Sequence, residues 1–355
     1  MVNLRQAFEG RRVWLSGHTG FKGSWLSEWL LQLGAIVHGY ALDPDTTPAL
    51  FKQLGLASRL EHEVADIRDT EALRRSIHTF RPDFVIHMAA QPLVRRSYAI
   101  PLETYETNVM GTLHVLEALR KYPYPCAAVI VTTDKVYQNH ESGRAYEEQD
   151  PLGGHDPYSS SKAMAEIATA AYRDSFFSNH PVKIGSARAG NVIGGGDWAE
   201  DRIVPDAMRA LDRGGMISVR NPKAVRPWQH VLEPLSGYLA LGAALTTDST
   251  LSTAFNFGPG PDSNRTVTDL VAEILKNRPG SWDEVSDPSD LHEARLLNLS
   301  IEKAKRLLCW QPYWNFEETI RKTAAWYDLV HRKAVTPLEI TRRQIAEFAS
   351  SQPSQ

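Results

Sequence analysis

The first 190 residues alternate short apolar runs with amphipathic ones, and no other feature of the chain narrows its fold as far. The strand-like runs are "RRVWLSG", "AIVHGYAL", "HEVAD", "DFVIHMAA", "AAVIVTT" and "VKIGSARAG". Between them lie helical patterns: "GSWLSEWLLQLG" with Gly34 as its stop, "DTEALRRSIHTF" with Asp69 as its cap, "ETYETNVMGTLHVLEALRKY", and "YSSSKAMAEIATAAYRDSFF". Strand and helix in strict alternation predict an α/β fold, a Rossmann-type doubly wound parallel sheet with right-handed crossovers. From about Gly194 the rhythm breaks into "GGGDWAEDRIVPD" and "NPKAVRPWQHV", which predicts a smaller C-terminal lobe over the mouth of the sheet. The expected division is a sheet domain over 1–190 with a return segment near 230–260, where "FNFGPG" reads as one more strand end. A lobe occupies mainly 191–345, and a flexible polar tail 346–355.

With 355 residues and 42% hydrophobic content the chain can bury a sizeable core. Lys and Arg number 39 against 42 Asp and Glu, a net charge of -3 with both signs mixed. No electrostatic case for nucleic acid or a membrane surface arises, so anionic ligands must be met by local groups. Two cysteines, Cys126 and Cys309, are too few for a disulfide framework and lack a metal-type spacing with histidine. No metal is expected. The start of the chain carries no apolar leader and no run of about 18 apolar residues occurs, which predicts a cytoplasmic protein.

"SGHTGFKGSW" sets Gly17, Gly20 and Gly23 three apart between a strand and a helix. Such a turn closes tightly, lets the backbone approach a pyrophosphate and points a helix N-terminus at the anion. Gly17, Thr19, Gly20, Phe21, Lys22 and Gly23 are therefore candidates for holding a dinucleotide. An acid is expected at the end of the second strand to hold the adenosine ribose, and Asp43 stands there, which favours NAD over NADP. The alternative for Asp43 is a turn former before Pro44. Asp66 and Ile67 after the third strand either touch the adenine or cap a turn. Ala89 and Ala90 in "HMAAQ" either let a cofactor pass or pack the core.

Tyr158 and Lys162 in "YSSSK" sit four apart on one helix face. An ammonium beside a phenol favours phenolate and is expected to lower the tyrosine pKa, making a base usable near neutrality. The same lysine can bond the nicotinamide ribose.

Taken with "TTDKVY" on the preceding strand end, "GHTGFKG" and "YSSSK" resemble the extended short-chain dehydrogenase/reductases, in the branch acting on nucleotide-linked sugars. The resemblance runs from about residue 10 to about 330. Where the sugar-nucleotide 4,6-dehydratases of that branch carry Thr-Asp-Glu, this chain has Thr133, Asp134 and Lys135. That lysine, with "GHTGFKGSWL" and "GYALDPDTTPALF", points within the branch to a nucleoside-diphosphate glucose substrate, CDP-glucose favoured. The resemblance implies an NAD-dependent lyase in which Tyr158 oxidises carbon 4 and an acid and a base then remove water across carbons 5 and 6. Asp134 would be the acid and Lys135 the base, and Thr133 would bond the 4-hydroxyl or the ketone oxygen. An adjacent ammonium pulls both groups away from the protonation states those roles need, a tension that a shared proton relieves.

Asn108 matches a helix asparagine that the family uses to hold backbone and water near the tyrosine. Asn191, Arg202, Arg220, Arg226 and His230 are the substrate-site candidates, because guanidinium groups match phosphate oxygens; Arg226 in "RPWQHV" leads by resemblance, and a solvated surface position is the alternative for the other arginines. Trp198 and Trp228 either stack on a base or plug the lobe. Arg95, Arg96 and Ser97 lie on a loop that borders the active site in the family. The helical patterns near 103–122 and 158–177 are those that such folds pair across a dimer axis, so a homodimer or homotetramer is expected, supplying deoxysugar for surface polysaccharide. Two rivals stand: a sibling 4-epimerase or dehydratase for another nucleotide, and a non-catalytic NAD-binding regulator.

Overall fold

The computed structural model describes residues 3–141, 143–286 and 297–352. Seven parallel strands form the central sheet: β1 (Arg12–Ser16), β2 (Ile36–Ala41), β3 (Glu61–Val64), β4 (Phe84–His87), β5 (Cys126–Val131), β6 (Val182–Ala189) and β7 (Ala254–Phe257). Their order is β7-β6-β5-β4-β1-β2-β3. The chain thus runs outward from β1 to one edge, returns to β4 and runs outward to the other. A crevice opens where the direction reverses, above the carboxyl ends of β1 and β4. β7 is the strand end read from "FNFGPG"; it is delivered by the helix Leu232–Leu245, buried along its whole length.

Alternate side chains of each strand feed opposite layers. Val13 and Leu15 of β1, with Ala127, Val129 and Val131 of β5, enter one apolar cluster, whereas Trp14, Ala128 and Ile130 enter the other. The first cluster also takes Trp25, Leu239, Trp326 and Phe348, so a single core runs through the expected boundary at 190. Among the described residues no helix is long and apolar enough to cross a membrane.

Two expectations change. The tail expected from 346 is, through Ser351, part of the helix Pro337–Ser351, opened by a Thr336/Glu339 capping box. Ile340, Ile345 and Phe348 line its buried face, and Phe348 meets the rings of Trp29 and Trp314 at 5.7 and 5.1 Å. Polar residues at the end of the chain masked that helical spacing. The long helix read over 103–122 is broken by a π-helical turn, Glu106–Met110, between Pro101–Tyr105 and Gly111–Arg120. Asn108 sits in that turn.

Glu233 ties the later part of the chain to the core. Its Oε1 accepts the backbone N–H of Tyr313 at 3.0 Å and of Trp314 at 2.7 Å, while Oε2 has no hydrogen bond among the described residues. Burial pushes its pKa up from 4.5 to about 8. The folded state therefore holds a proton that the unfolded state releases between about pH 4.5 and 8, so this group's contribution to stability declines as pH rises through that window. Glu233→Gln should flatten the decline and melt about 2–4 °C above the wild type near pH 9. Thermal unfolding at mildly acidic and mildly alkaline pH measures this; parallel pH slopes for the two proteins would contradict it.

Candidate active site

The glycine turn meets the crevice with its backbone. Gly17 has φ 75°, and a Cβ there would stand 2.7 Å from the Ala89 nitrogen. A Cβ on Gly23 would lie 2.1 Å from the Gly17 carbonyl, so helix and turn pack as only glycine allows. Above Gly20 there is room, the nearest atom being the Gly17 oxygen at 3.6 Å. The helix Phe21–Gln32 that follows has no side-chain cap and no acid in its first turn, leaving its N-terminal N–H groups for an anion. Thr19 donates to the Leu42 carbonyl at 2.8 Å, joining the turn to the end of β2. These residues fit a dinucleotide pyrophosphate.

A cleft of about 1990 Å³ extends from this turn. Asp43, Asp66, Ile67, Ala89 and Ala90 line it, as do Phe21 and Lys22. Asp66 is gripped by Arg68, whose Nη2 donates to Oδ2 at 2.7 Å and whose backbone N–H donates to Oδ1 at 2.8 Å, and that grip holds the carboxyl below its ordinary range. Arg68, also on the cleft wall, was not singled out from the sequence; its signal was only a basic residue two places after a strand-end acid. Lys22 donates to the Tyr238 hydroxyl at 2.9 Å. Burial, then the charge of Lys162, pushes Lys22 down to about 7.

At the carboxyl end of β5 the chain enters a single 3₁₀ turn, Asp134–Val136, capped by Thr133. The hydroxyl of Thr133 donates to Asp134 Oδ1 at 3.0 Å, and the Tyr158 phenol is its neighbour. Lys135 Nζ stands 3.7 Å from the same oxygen and donates to Asn191 Oδ1 at 3.5 Å. A continuous polar chain thus runs from Thr133 through Asp134 and Lys135 to Asn191, with the Tyr158 phenol beside its start. Asp134 is sealed, 1% exposed, and does not line the cleft, whereas Lys135 does. A Cβ on Gly190 would come within 2.7 Å of Asp134 Oδ2, so the glycine leaves space for the carboxylate.

Tyr158 and Lys162 lie on the helix Pro157–Phe176, whose start is secured by an Asp156/Ser159 capping box and by Ser97 Oγ accepting the Tyr158 N–H at 3.2 Å. The expected fall in the Tyr158 pKa is not found. Burial raises it to about 12, the Thr133 hydrogen bond lowering it only in part. Lys162 does not offset this: its Nζ donates to the Val131 carbonyl at 3.3 Å, and burial lowers its own pKa to about 8. Desolvation outweighs pairing for both groups.

The other sequence candidates divide. Asn191, Arg202, Arg220 and Arg226 line the cleft. Arg202 pairs with buried Asp197 at 2.9 Å, and Arg220 with Asp201 at 2.6 Å. His230 does not reach the cleft: it is fully buried, edge-on to Trp25 and Trp314 at 5.7 and 4.8 Å, and burial takes its pKa down to about 3. In "RPWQHV" it follows the arginine by four residues, but Arg226 lies on the strand Val225–Pro227 and His230 on a separate one, Gln229–His230, of which both residues are buried. Asn108 is fully buried behind the cleft. Its side chain accepts the Gln91 N–H at 2.8 Å and donates to the Gln91 carbonyl and to Ser161 Oγ, joining the β4 exit to the tyrosine helix. Trp228 is 3% exposed and belongs to the core, although its edge reaches the cleft, and Trp198 packs on Tyr327.

A glycine turn, a Tyr-x-x-x-Lys helix and a Thr-Asp-Lys strand end converging above one parallel sheet define the architecture of the extended short-chain dehydrogenase/reductases. Residues 15–323 match the family described as GDP-mannose 4,6 dehydratase, and the chain belongs to that family. A curated relative, the CDP-glucose 4,6-dehydratase of Salmonella typhimurium, is 46% identical over 97% of this chain and 98% of its own length. Among solved structures, the UDP-glucose 4-epimerase of Thermus thermophilus in complex with NAD is 27% identical with a TM-score of 0.76, covering 91% of this chain and all of that one. The dTDP-glucose 4,6-dehydratase of Bacillus anthracis, also with NAD, shares the fold with a TM-score of 0.75 at 24% identity, covering 90% of this chain and 97% of that one.

Proposed function

We propose that the chain is an NAD-dependent hydro-lyase that converts CDP-D-glucose to CDP-4-dehydro-6-deoxy-D-glucose, supplying deoxysugar for surface polysaccharide. The observation that carries the reading is the linked set Thr133–Asp134–Lys135 beside the Tyr158 phenol, which supports a base for oxidation and a pair for elimination in one site. An epimerase needs the first and has no use for the second. The 46% identity to the CDP-glucose 4,6-dehydratase of Salmonella typhimurium supports the same substrate.

NAD, once bound, would supply a reversible hydride acceptor between carbon 4 and carbon 6. The glycine turn would hold its pyrophosphate, Asp43 its adenosine ribose and Lys162 its nicotinamide ribose. Tyr158 takes the 4-hydroxyl proton, with Thr133 bonded to the reacting oxygen. The ketone so formed acidifies the hydrogen on carbon 5. Lys135, the member of the pair open to the cleft, removes that proton, and Asp134, sealed behind it, supplies through the cleft-lining Thr133 hydroxyl the proton with which the 6-hydroxyl leaves as water. The elimination therefore begins with a neutral amine and a carboxylic acid and ends with an ammonium and a carboxylate. When carbon 6 has been reduced, Lys135 returns its proton to carbon 5, and the proton that Tyr158 took from the 4-hydroxyl restores Asp134, so the pair is reset. Asn191, Arg202, Arg220 and Arg226 receive the substrate's ribose and diphosphate.

Incubation with a panel of nucleotide-linked glucoses tests the reading: 4-keto-6-deoxy product is expected from the CDP donor with no net reduction of NAD. No product from any donor would overturn it, and formation of only a galactose epimer would replace it with the epimerase.

For assembly, the helix Pro157–Phe176 and the segment beside it expose Met164, Ile167, Leu102 and Met110, and Leu102 is 78% exposed. Apolar side chains grouped in this way suit burial against the same face of a second copy, as a homodimer or a homotetramer of two such pairs. Ile167→Glu should convert the protein to a monomer by light scattering; an unchanged mass would exclude this face.

A further inference from the structure

Behind the site, a buried ion pair connects parts of the chain that the reaction must keep in register. Glu166, one turn past Lys162 on the tyrosine helix, is 3% exposed and Arg188 on β6 is equally buried. Arg188 Nη2 donates to Glu166 Oε2 at 2.9 Å. Two hydroxyls complete the carboxylate: Thr132 donates to Oε1 at 2.5 Å and Ser186 to Oε2 at 2.8 Å. On its other side Arg188 donates to the Tyr137 hydroxyl at 2.8 Å and to the Glu148 carbonyl at 3.0 Å, with its guanidinium 5.0 Å above the Tyr137 ring. Tyr137 in turn donates to Asn256 Oδ1 at 2.7 Å. Burial raises the Glu166 pKa, but the charge and hydrogen bond of Arg188, together with the hydrogen bonds of Thr132 and Ser186, leave the carboxyl below its ordinary range.

The placement of the two ends is what matters. Thr132 immediately precedes Thr133, and Tyr137 immediately follows the Asp134–Val136 turn. One network therefore grips the acid/base turn at its entry and its exit, and it is anchored on the helix that presents Tyr158 and Lys162. We propose that the Glu166–Arg188 pair is a positioning clamp that sets Asp134 and Lys135, which perform the elimination, against Tyr158 and Lys162, which perform the oxidation. The proposal rests on the dehydratase reading above. A fold-stabilising pair alone would not need ties on both flanks of this turn. Loosening the clamp displaces the elimination pair relative to the tyrosine helix, so elimination slows more than oxidation, and small displacements of reacting groups carry large rate effects.

Thr132→Val and Tyr137→Phe cut the two ends separately and leave the ion pair in place. Each should lower kcat about tenfold or more with KM within about threefold. During turnover of CDP-glucose, the near-ultraviolet absorbance of reduced nicotinamide should build up in both variants and not in the wild type. Thr132→Ser, which restores the hydroxyl, should return kcat and abolish the build-up. Glu166→Gln should show the largest build-up if it folds; if it does not, the two end variants decide. Wild-type kcat in both end variants, or loss of kcat without build-up, would overturn the clamp. Wild-type protein inert toward every nucleotide-linked glucose would instead overturn the dehydratase reading, and the clamp with it.

Discussion

Asp134→Asn and Lys135→Met are each expected to lower kcat about 10³-fold while leaving oxidation at carbon 4 in place, the span attributed to a positioned acid or base. Asp134 lies 3.7 Å from Lys135 Nζ and 3.0 Å from the Thr133 hydroxyl, and neither contact is needed for Tyr158 to work. Removal of Lys135 leaves no cleft-facing base at the carboxyl end of β5, and removal of the Asp134 acid leaves the 6-hydroxyl without its proton. Rapid mixing should therefore show one turnover's worth of reduced nicotinamide forming and then persisting, with 4-keto-6-deoxy product absent. Full dehydration by Lys135→Met would remove the lysine from the mechanism, and by Asp134→Asn the aspartate.

Tyr158→Phe should act one step earlier and lower kcat by about 10³-fold without any reduced nicotinamide accumulating. Phenylalanine fills the same buried space, so folding and KM should change little. The phenol's pKa, raised to about 12 by burial, means that its proton acceptance depends on groups brought close in the loaded site. The charge on Lys162, which rests on the Val131 carbonyl and does not yet act on the phenol, is one that the loaded site would bring to bear. With its pKa lowered to about 8, Lys162 loses that charge as pH rises through about 8, and wild-type kcat should decline on the same limb. Accumulation of reduced nicotinamide in Tyr158→Phe, or wild-type kcat in it, would remove the tyrosine as the oxidation base.

Local patterns made much of this legible in the sequence. β5 reads as a continuous apolar run because both faces of the strand are covered, and all six of its residues are buried. Gly17 and Gly23 declare a backbone that no side chain permits, and Tyr158 and Lys162 announce a shared helix face. Features set by distant partners stayed hidden. His230 reads as a site histidine until Trp25 and Trp314 close around it. The π-helical turn at Asn108 depends on Gln91 and Ser161, 17 and 53 residues away. Phe348 belongs to the core only because Trp29 and Trp314 are there to receive it. The downward shift expected for Tyr158 failed for a related reason: pair spacing is visible in sequence, and desolvation is not.

The central claim is that one cleft oxidises carbon 4, removes water across carbons 5 and 6 and returns the same hydrogen to carbon 6. CDP-glucose carrying deuterium at carbon 4 tests it most directly. The predicted result is a 4-keto-6-deoxy sugar with the deuterium at carbon 6 and no reduced nicotinamide released. Deuterium retained at carbon 4 of a galactose epimer, or lost to free reduced nicotinamide with no deoxysugar formed, would contradict it.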